Sequence, residues 1–159
     1  MTDNIRVGVI GAGGNTILKH IPLLQKIDGV EVVSVANRSI KSSREVASQF
    51  EIKNYYDNWI NVVDDNSIDA IVIGTWPYMH KRLTIESLES GKHVLCEARM
   101  SMNTSEAQEM LDCSQMYPNL ISQIVPAPHT LPIDKTIKRL ISSGSVSYTH
   151  LTLPTTPYV

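Results

Sequence analysis

Short dense runs of apolar residues alternate along the chain with stretches in which apolar residues recur every three or four positions. Ile5, Val7, Val9 and Ile10 lead into Gly11-Ala12-Gly13-Gly14-Asn15-Thr16, and Ile17, Leu18, Ile21, Leu24 and Ile27 then follow at helical spacing. The first pattern predicts a buried strand and the second a helix. Pro22 interrupts the helical pattern, so the helix kinks or restarts there, and Asp28-Gly29 closes it. Residues 30–35 are β-branched and predict a second buried strand, with Asn37-Arg38-Ser39 at its carboxyl end. Residues 41–50 predict a helix with Val46, Ala47 and Phe50 inward, Tyr55-Tyr56 a short third strand, and Trp59, Ile60 and Val63 a short helix ended by Asp64-Asp65-Asn66.

The second half continues in the same way. Residues 68–74 form an apolar run broken only by Asp69, which predicts a strand buried on both faces. Thr75-Trp76-Pro77-Tyr78-Met79 reads as a loop, residues 80–90 as a helix capped by Gly91, and residues 93–96 as a fifth strand. Asn103 or Thr104 caps a further helix running to about Tyr117. A sixth strand over 120–125 ends at Pro126-Ala127-Pro128, and a last helix over 131–140 stops near Gly144.

Strands alternating with helices through short connections predict an α/β fold of Rossmann type: a doubly wound parallel sheet, helices on both faces, right-handed crossovers. Ligands of such sheets lie beyond the carboxyl ends of the strands. The unusual stretches, residues 11–16, 37–39, 75–80 and 97–100, all fall there. A strand that ends in glycines and hands over to a helix is the entry of a dinucleotide-binding unit, where the helix start offers free N–H groups to a pyrophosphate. Gly11, Gly13, Gly14, Asn15 and Thr16 form that turn. Thr16 stands where a third glycine is usual, and its hydroxyl is expected to bond a phosphate oxygen or cap the helix.

Composition narrows the partners. With 159 residues, 42% of them apolar, the chain has the size of one domain with a real core. A net charge of −2 gives no electrostatic reason to expect nucleic acid or an anionic membrane. No apolar run approaches the roughly 18 residues that span a bilayer, and the first residues carry no signal-peptide pattern. Cys96 and Cys113 form no C-x-x-C pair and read as small buried apolar residues in a reducing, cytoplasmic setting. No spacing of Cys, His and carboxylates suggests a metal. Residues 145–159 lack charge, are rich in Thr and Pro, and resemble translated adapter DNA, so they are expected to be a non-native or disordered tail.

The residue after the second strand sets the choice of cofactor. A carboxylate there would accept from a ribose 2′-hydroxyl and repel a 2′-phosphate. This chain has Asn37, Arg38 and Ser39, with Lys41 and Arg44 nearby. A guanidinium and a hydroxyl suit a phosphate dianion, so NADP(H) is expected in preference to NAD.

The glycine loop, Trp76-Pro77-Tyr78-Met79-His80, and Gly91-Lys92-His93-Val94-Leu95-Cys96-Glu97-Ala98-Arg99-Met100, in this order, resemble the nucleotide-binding half of the Gfo/Idh/MocA family, the glucose–fructose oxidoreductase and inositol dehydrogenase group. The likeness covers residues 5–144. It implies an oxidoreductase acting on a sugar, inositol or related polyol or carbonyl compound. It also implies a second domain, absent from this chain, that completes the substrate site and mediates homo-oligomerisation. Glu97 matches the family's Glu-Lys-Pro motif and is expected at the nicotinamide ribose, but Ala98 replaces the lysine and Arg99 the proline. Arg99 can hold a carboxylate or polarise a carbonyl. His80 matches the histidine closing the family's Thr-Pro-x-x-x-His-like loop and is the candidate acid–base group, with Thr75, Trp76 and Pro77 against the cofactor. His20 and His93 read as structural, and His129 as a weaker candidate. Alanine at 98 leaves a second reading, a non-catalytic dinucleotide-binding or sensor protein.

Overall fold

The structure is a computed structural model and describes residues 4–125 and 134–145. Six strands, β1 (Ile5–Ile10), β2 (Val30–Ala36), β3 (Asn54–Tyr56), β4 (Ala70–Ile73), β5 (His93–Cys96) and β6 (Ser122–Ile124), form one sheet in the order β3-β2-β1-β4-β5-β6. Every pairing is parallel. The helices are α1 (Ile21–Leu24), preceded by a π-helical turn over Thr16–His20, then α2 (Ile40–Gln49), α3 (Ile60–Val63), α4 (Pro77–Glu89), α5 (Thr104–Met116) and α6 (Asp134–Ser142). The chain divides into two compact units at residues 126 and 127, and α6 belongs to the second.

Both sheet faces are covered, which is why the strands read as continuous apolar runs. On one face Val7, Val9, Val32 and Val35 pack with Ile21 of α1 and Val46 and Ala47 of α2. On the other, Ile71, Ile73 and Val94 pack with Val62 and Val63 of α3, Leu83 and Leu88 of α4 and Cys113 of α5. Val9, Val35, Ile71 and Leu83 are fully enclosed. Each such side chain contributes about 1.5–3 kcal/mol.

The strict alternation of sides fails at one place. The β1–β2 register slips between Val7 and Gly8, a bulge that skips Val33. Gly8 sits opposite Ser34, and a Cβ at Gly8 would strike Val62 Cγ1. Glycine is required there by packing rather than by any ligand.

Several element ends differ from the pattern-based expectation, each for a local reason. The helix after the first strand does restart at the proline, with Pro22 in the first turn of α1 and a wider turn before it. α4 begins at Pro77, not at residue 80: Trp76 is extended and Pro77 occupies the first helical position, where its missing N–H costs nothing. Gly91 ends it as expected, with φ +75° and its N–H on the Leu88 carbonyl at 2.9 Å. Asn103 is the cap of α5, its Oδ1 accepting from Glu106 N at 3.0 Å. The loop Pro126-Ala127-Pro128, His129, the first residues of the last helix and the tail from residue 146 lie outside the described residues. Among the described residues no helix is long and apolar enough to cross a membrane.

Candidate functional site

The order of the strands creates the site. β1 lies between β2 and β4, so the chain leaves the end of β1 toward one side and reaches β4 from the other. The carboxyl ends of β1 and β4 therefore flank a crevice. A cleft of about 450 Å³ occupies it, walled by Gly11–Gly13, Asn37–Ser39, Gly74–Trp76 and, at the far side, Asp57 and Tyr78.

Gly11 makes the turn out of β1. Its φ of +85° lies in the left-handed region, and a Cβ there would stand 2.7 Å from the Thr75 nitrogen. Gly74 faces it across the crevice, where a Cβ would meet Thr16 Oγ1 and stand 2.5 Å from the Gly11 oxygen. These two glycines let the ends of β1 and β4 touch. Gly13 and Gly14 differ, since a Cβ at either would meet no protein atom within 4 Å. Nothing inside the protein requires glycine at these two positions, and Gly13 borders the cleft. The first helical bond, Ile17 N to the Gly13 oxygen at 2.9 Å, lies beyond the N–H groups of Gly14, Asn15 and Thr16.

Thr16 departs from expectation. Its side chain is buried and its hydroxyl donates back to the Gly11 carbonyl at 3.3 Å, filling the space under Gly74 instead of facing a phosphate. Asn37 is also turned inward. Its Oδ1 accepts from Ala12 N at 2.7 Å and its Nδ2 donates to Ser42 Oγ at 3.0 Å, so the carboxamide ties the glycine loop to the end of β2. Arg38 and Ser39 are exposed on the cleft wall, with Ser39 Oγ capping α2 at Ser42 N.

Beyond β4, Thr75 keeps its Oγ1 buried with no hydrogen-bond partner, and Trp76 is 64% exposed on the rim. Pro77 opens α4 and is not on the cleft wall. His80 is fully buried, with Nδ1 3.0 Å from the Arg99 carbonyl and Nε2 2.9 Å from the Thr75 carbonyl. Neither ring nitrogen is open to a substrate. The acid–base role expected of His80 does not fit this placement, which instead fastens the loop after β4 to the loop after β5. Arg99 and Ala98 are exposed.

At the end of β5, Glu97 gathers three donors. Oε1 accepts from Asn15 Nδ2 and lies 2.5 Å from His20 Nε2, while Oε2 accepts from Ala98 N at 3.0 Å. Partial burial opposes the charge on Glu97, but the bonds from His20, Asn15 and Ala98 outweigh it and hold the carboxyl below its ordinary range. The carboxylate therefore contributes stability that is present above the ordinary glutamate value of about 4.3 and is lost as the pH falls through the lower folded value. A Glu97→Gln chain should show a shallower loss of stability on acidification from about pH 5 than the parent, as followed by thermal melts across that range. Sequence reading missed His20 as part of this site. Its signal was its position four residues after Thr16, on the side of the turn that faces the strand ends. His93, by contrast, is structural as expected, its Nδ1 accepting from Ile121 N at 2.9 Å.

The geometry fits what comparison with known proteins shows. Residues 5–123 match the profile of an oxidoreductase family with an NAD-binding Rossmann fold. The chain belongs to the Gfo/Idh/MocA family. An uncharacterized oxidoreductase of Rhizobium meliloti is 32% identical over 111 residues, 70% of this chain and 33% of that protein. A trans-1,2-dihydrobenzene-1,2-diol dehydrogenase of Sus scrofa is 30% identical over 107 residues, 67% of this chain and 31% of that protein. Among solved structures, myo-inositol 2-dehydrogenase from Lactobacillus plantarum superposes with a TM-score of 0.73 at 25% identity, covering 91% of this chain and 42% of that one. A 3-ketoreductase from Actinomadura kijaniata, solved with NADP and TDP-benzene, shares the fold with a TM-score of 0.76 at 20% identity, covering 89% of this chain and 43% of its own. The chain spans about a third of the length of the curated relatives it matches. Within the Gfo/Idh/MocA family, then, residues 5–123 are the nucleotide-binding part.

Proposed function

We propose that this chain is the cofactor-binding domain, residues 1–144, of an NADP(H)-dependent oxidoreductase acting on a sugar, inositol or related polyol or carbonyl compound. The observation that carries the cofactor preference is the edge of the cleft after β2. Asn37 stands where a carboxylate would receive a ribose 2′-hydroxyl, and its amide is turned into the loop. Arg38 and Ser39 are exposed on the cleft wall there, a cation and a hydroxyl suited to a 2′-phosphate. The unfilled side of Gly13 and the leftover N–H groups at the helix start suit a pyrophosphate, and the unpartnered Thr75 hydroxyl offers a polar contact beyond it. The residues present therefore fit a dinucleotide, which would supply hydride transfer at its nicotinamide ring. The diol and inositol dehydrogenases among the relatives support a polyol substrate. The relatives are about three times as long as the matched stretch, and the substrate walls and homo-oligomeric contacts of such an enzyme are expected from that further length.

Titration of the chain with NADPH and NADH tests the preference, and tighter binding of NADH at physiological salt overturns it. Arg38→Ala should weaken NADPH binding by ~1–3 kcal/mol through loss of a charge-assisted bond and leave NADH nearly unchanged. Ala98, where the family carries its lysine, supports the second reading of a non-catalytic dinucleotide sensor. An intact protein that binds NADPH but oxidises or reduces no polyol or carbonyl compound in a broad panel would favour the sensor.

A further inference from the structure

We propose that His20 and Asn15 are positioning residues for Glu97, aiming its carboxylate at a ribose hydroxyl in the nicotinamide half of the bound dinucleotide. The inference rests on the dinucleotide reading of the cleft and adds to it the means by which the end of β5 is held ready.

Three observations combine. The first is valence. An ionised carboxylate has about four acceptor positions. Asn15 Nδ2 and His20 Nε2 both occupy Oε1, and Ala98 N takes one position on Oε2. One position is left, on Oε2, and it suits a donor with no charge, such as a sugar hydroxyl.

The second is location. Glu97 continues the sheet, its N–H donating to the Ile73 carbonyl at 2.9 Å, so its carboxylate stands beside the end of β4. β2, with Arg38 and Ser39 after it, lies three strand spacings away on the other side of β1, about 14 Å. A ligand whose 2′-phosphate meets Arg38 and whose pyrophosphate crosses Gly13 brings its other ribose to the β4–β5 side.

The third is enclosure. The side chains of His20 and Glu97 are only 15% and 16% exposed, so water screens their bond weakly. Asn15 and His20 come from the glycine-loop helix start and Glu97 from the residue just after β5, 77 positions beyond His20. The cluster therefore couples the segment that meets the pyrophosphate to the carboxylate that meets the ribose. Other charged groups of the surrounding elements are placed elsewhere: Lys19 and Arg99 are exposed, and His80 is committed to the Thr75 and Arg99 carbonyls.

A purely structural tie would predict the same contacts, so the test separates the two halves of the ligand. The chain is titrated with NADPH and with adenosine 2′,5′-bisphosphate, which carries the adenosine and its 2′-phosphate but no nicotinamide ribose. His20→Ala should weaken NADPH about tenfold and leave the bisphosphate within about twofold. His20→Gln, whose amide nitrogen can reach the place of Nε2, should recover most of the loss. Equal weakening of both ligands, or no weakening of NADPH, overturns the positioning role. Failure of the parent chain to bind either ligand would instead overturn the dinucleotide reading, and the inference with it.

Discussion

Replacing Gly11 by alanine should destabilise the fold by about 3 kcal/mol, while the same replacement at Gly13 should leave stability within ~0.5 kcal/mol and remove most dinucleotide binding. The two glycines are separated by a single residue, but they answer to different constraints. At Gly11 the backbone is left-handed, which costs an L-residue about 1–2 kcal/mol. The added methyl would also press on the Thr75 backbone nitrogen and the Gly74 carbonyl carbon, at 2.7 and 2.9 Å, and neither belongs to a side chain that can turn away. Overpacking of this kind adds about 1–3 kcal/mol. At Gly13 φ is ordinary and a Cβ meets nothing within 4 Å. That methyl would enter the cleft where a pyrophosphate must approach the backbone closely. Urea unfolding of both variants, paired with NADPH titration of the folded Gly13→Ala chain, checks the contrast. Comparable destabilisation by the two substitutions would refute it.

His80→Ala should cost about 3 kcal/mol and loosen two loops at once. The ring is fully enclosed and bridges the Thr75 and Arg99 carbonyls. Its removal leaves a cavity and strips a buried carbonyl of its donor, losses of about 2–4 kcal/mol together. Hydrogen exchange should quicken at residues around 75 and 99 before it does so in β1 or β4, because only those loops lose an anchor. A proton carrier would behave differently: its loss would leave melting temperature and exchange unchanged and affect turnover alone. Thermal melts with exchange measurements on the same variant distinguish the two outcomes.

The layered architecture was legible because β1, β2 and β4 are short, rich in Val and Ile, and followed by a glycine or a turn. Residues 93–96 needed no tertiary information, whereas the choice between Asn103 and Thr104 as the cap of α5 is settled only by the Asn103–Glu106 bond. The pattern places Trp76-Pro77 in a loop and the start of α4 at residue 80, whereas a proline after an extended residue equally suits a first helical turn. The candidate site was legible by position, since strand ends are implied by the pattern, but not by orientation. Thr16, Asn37 and His80 all sit where expected and all turn inward, because each finds a buried partner remote in sequence or across the turn. The Glu97–His20 contact spans 77 residues and no local pattern encodes it. Serial spacing reports which side of an element a residue occupies. It does not report which polar groups have already been satisfied by the fold.

The two cysteines give the chain a built-in chemical clock. Cys96 lies in β5 and Cys113 in α5, both buried, and neither is joined in a disulfide. Burial pushes the Cys96 thiol up to about 12, so at neutral pH it is almost entirely unreactive while the sheet is intact. Burial, with the nearby Glu89 charge, also raises the Cys113 thiol. A thiol reagent added in excess therefore reads opening events rather than surface chemistry. Its rate at Cys113 times the lifting of α5 from the sheet, and its rate at Cys96 times the parting of β5 from β4 and β6. The same protein sample, without any introduced label, can thus rank local against global unfolding.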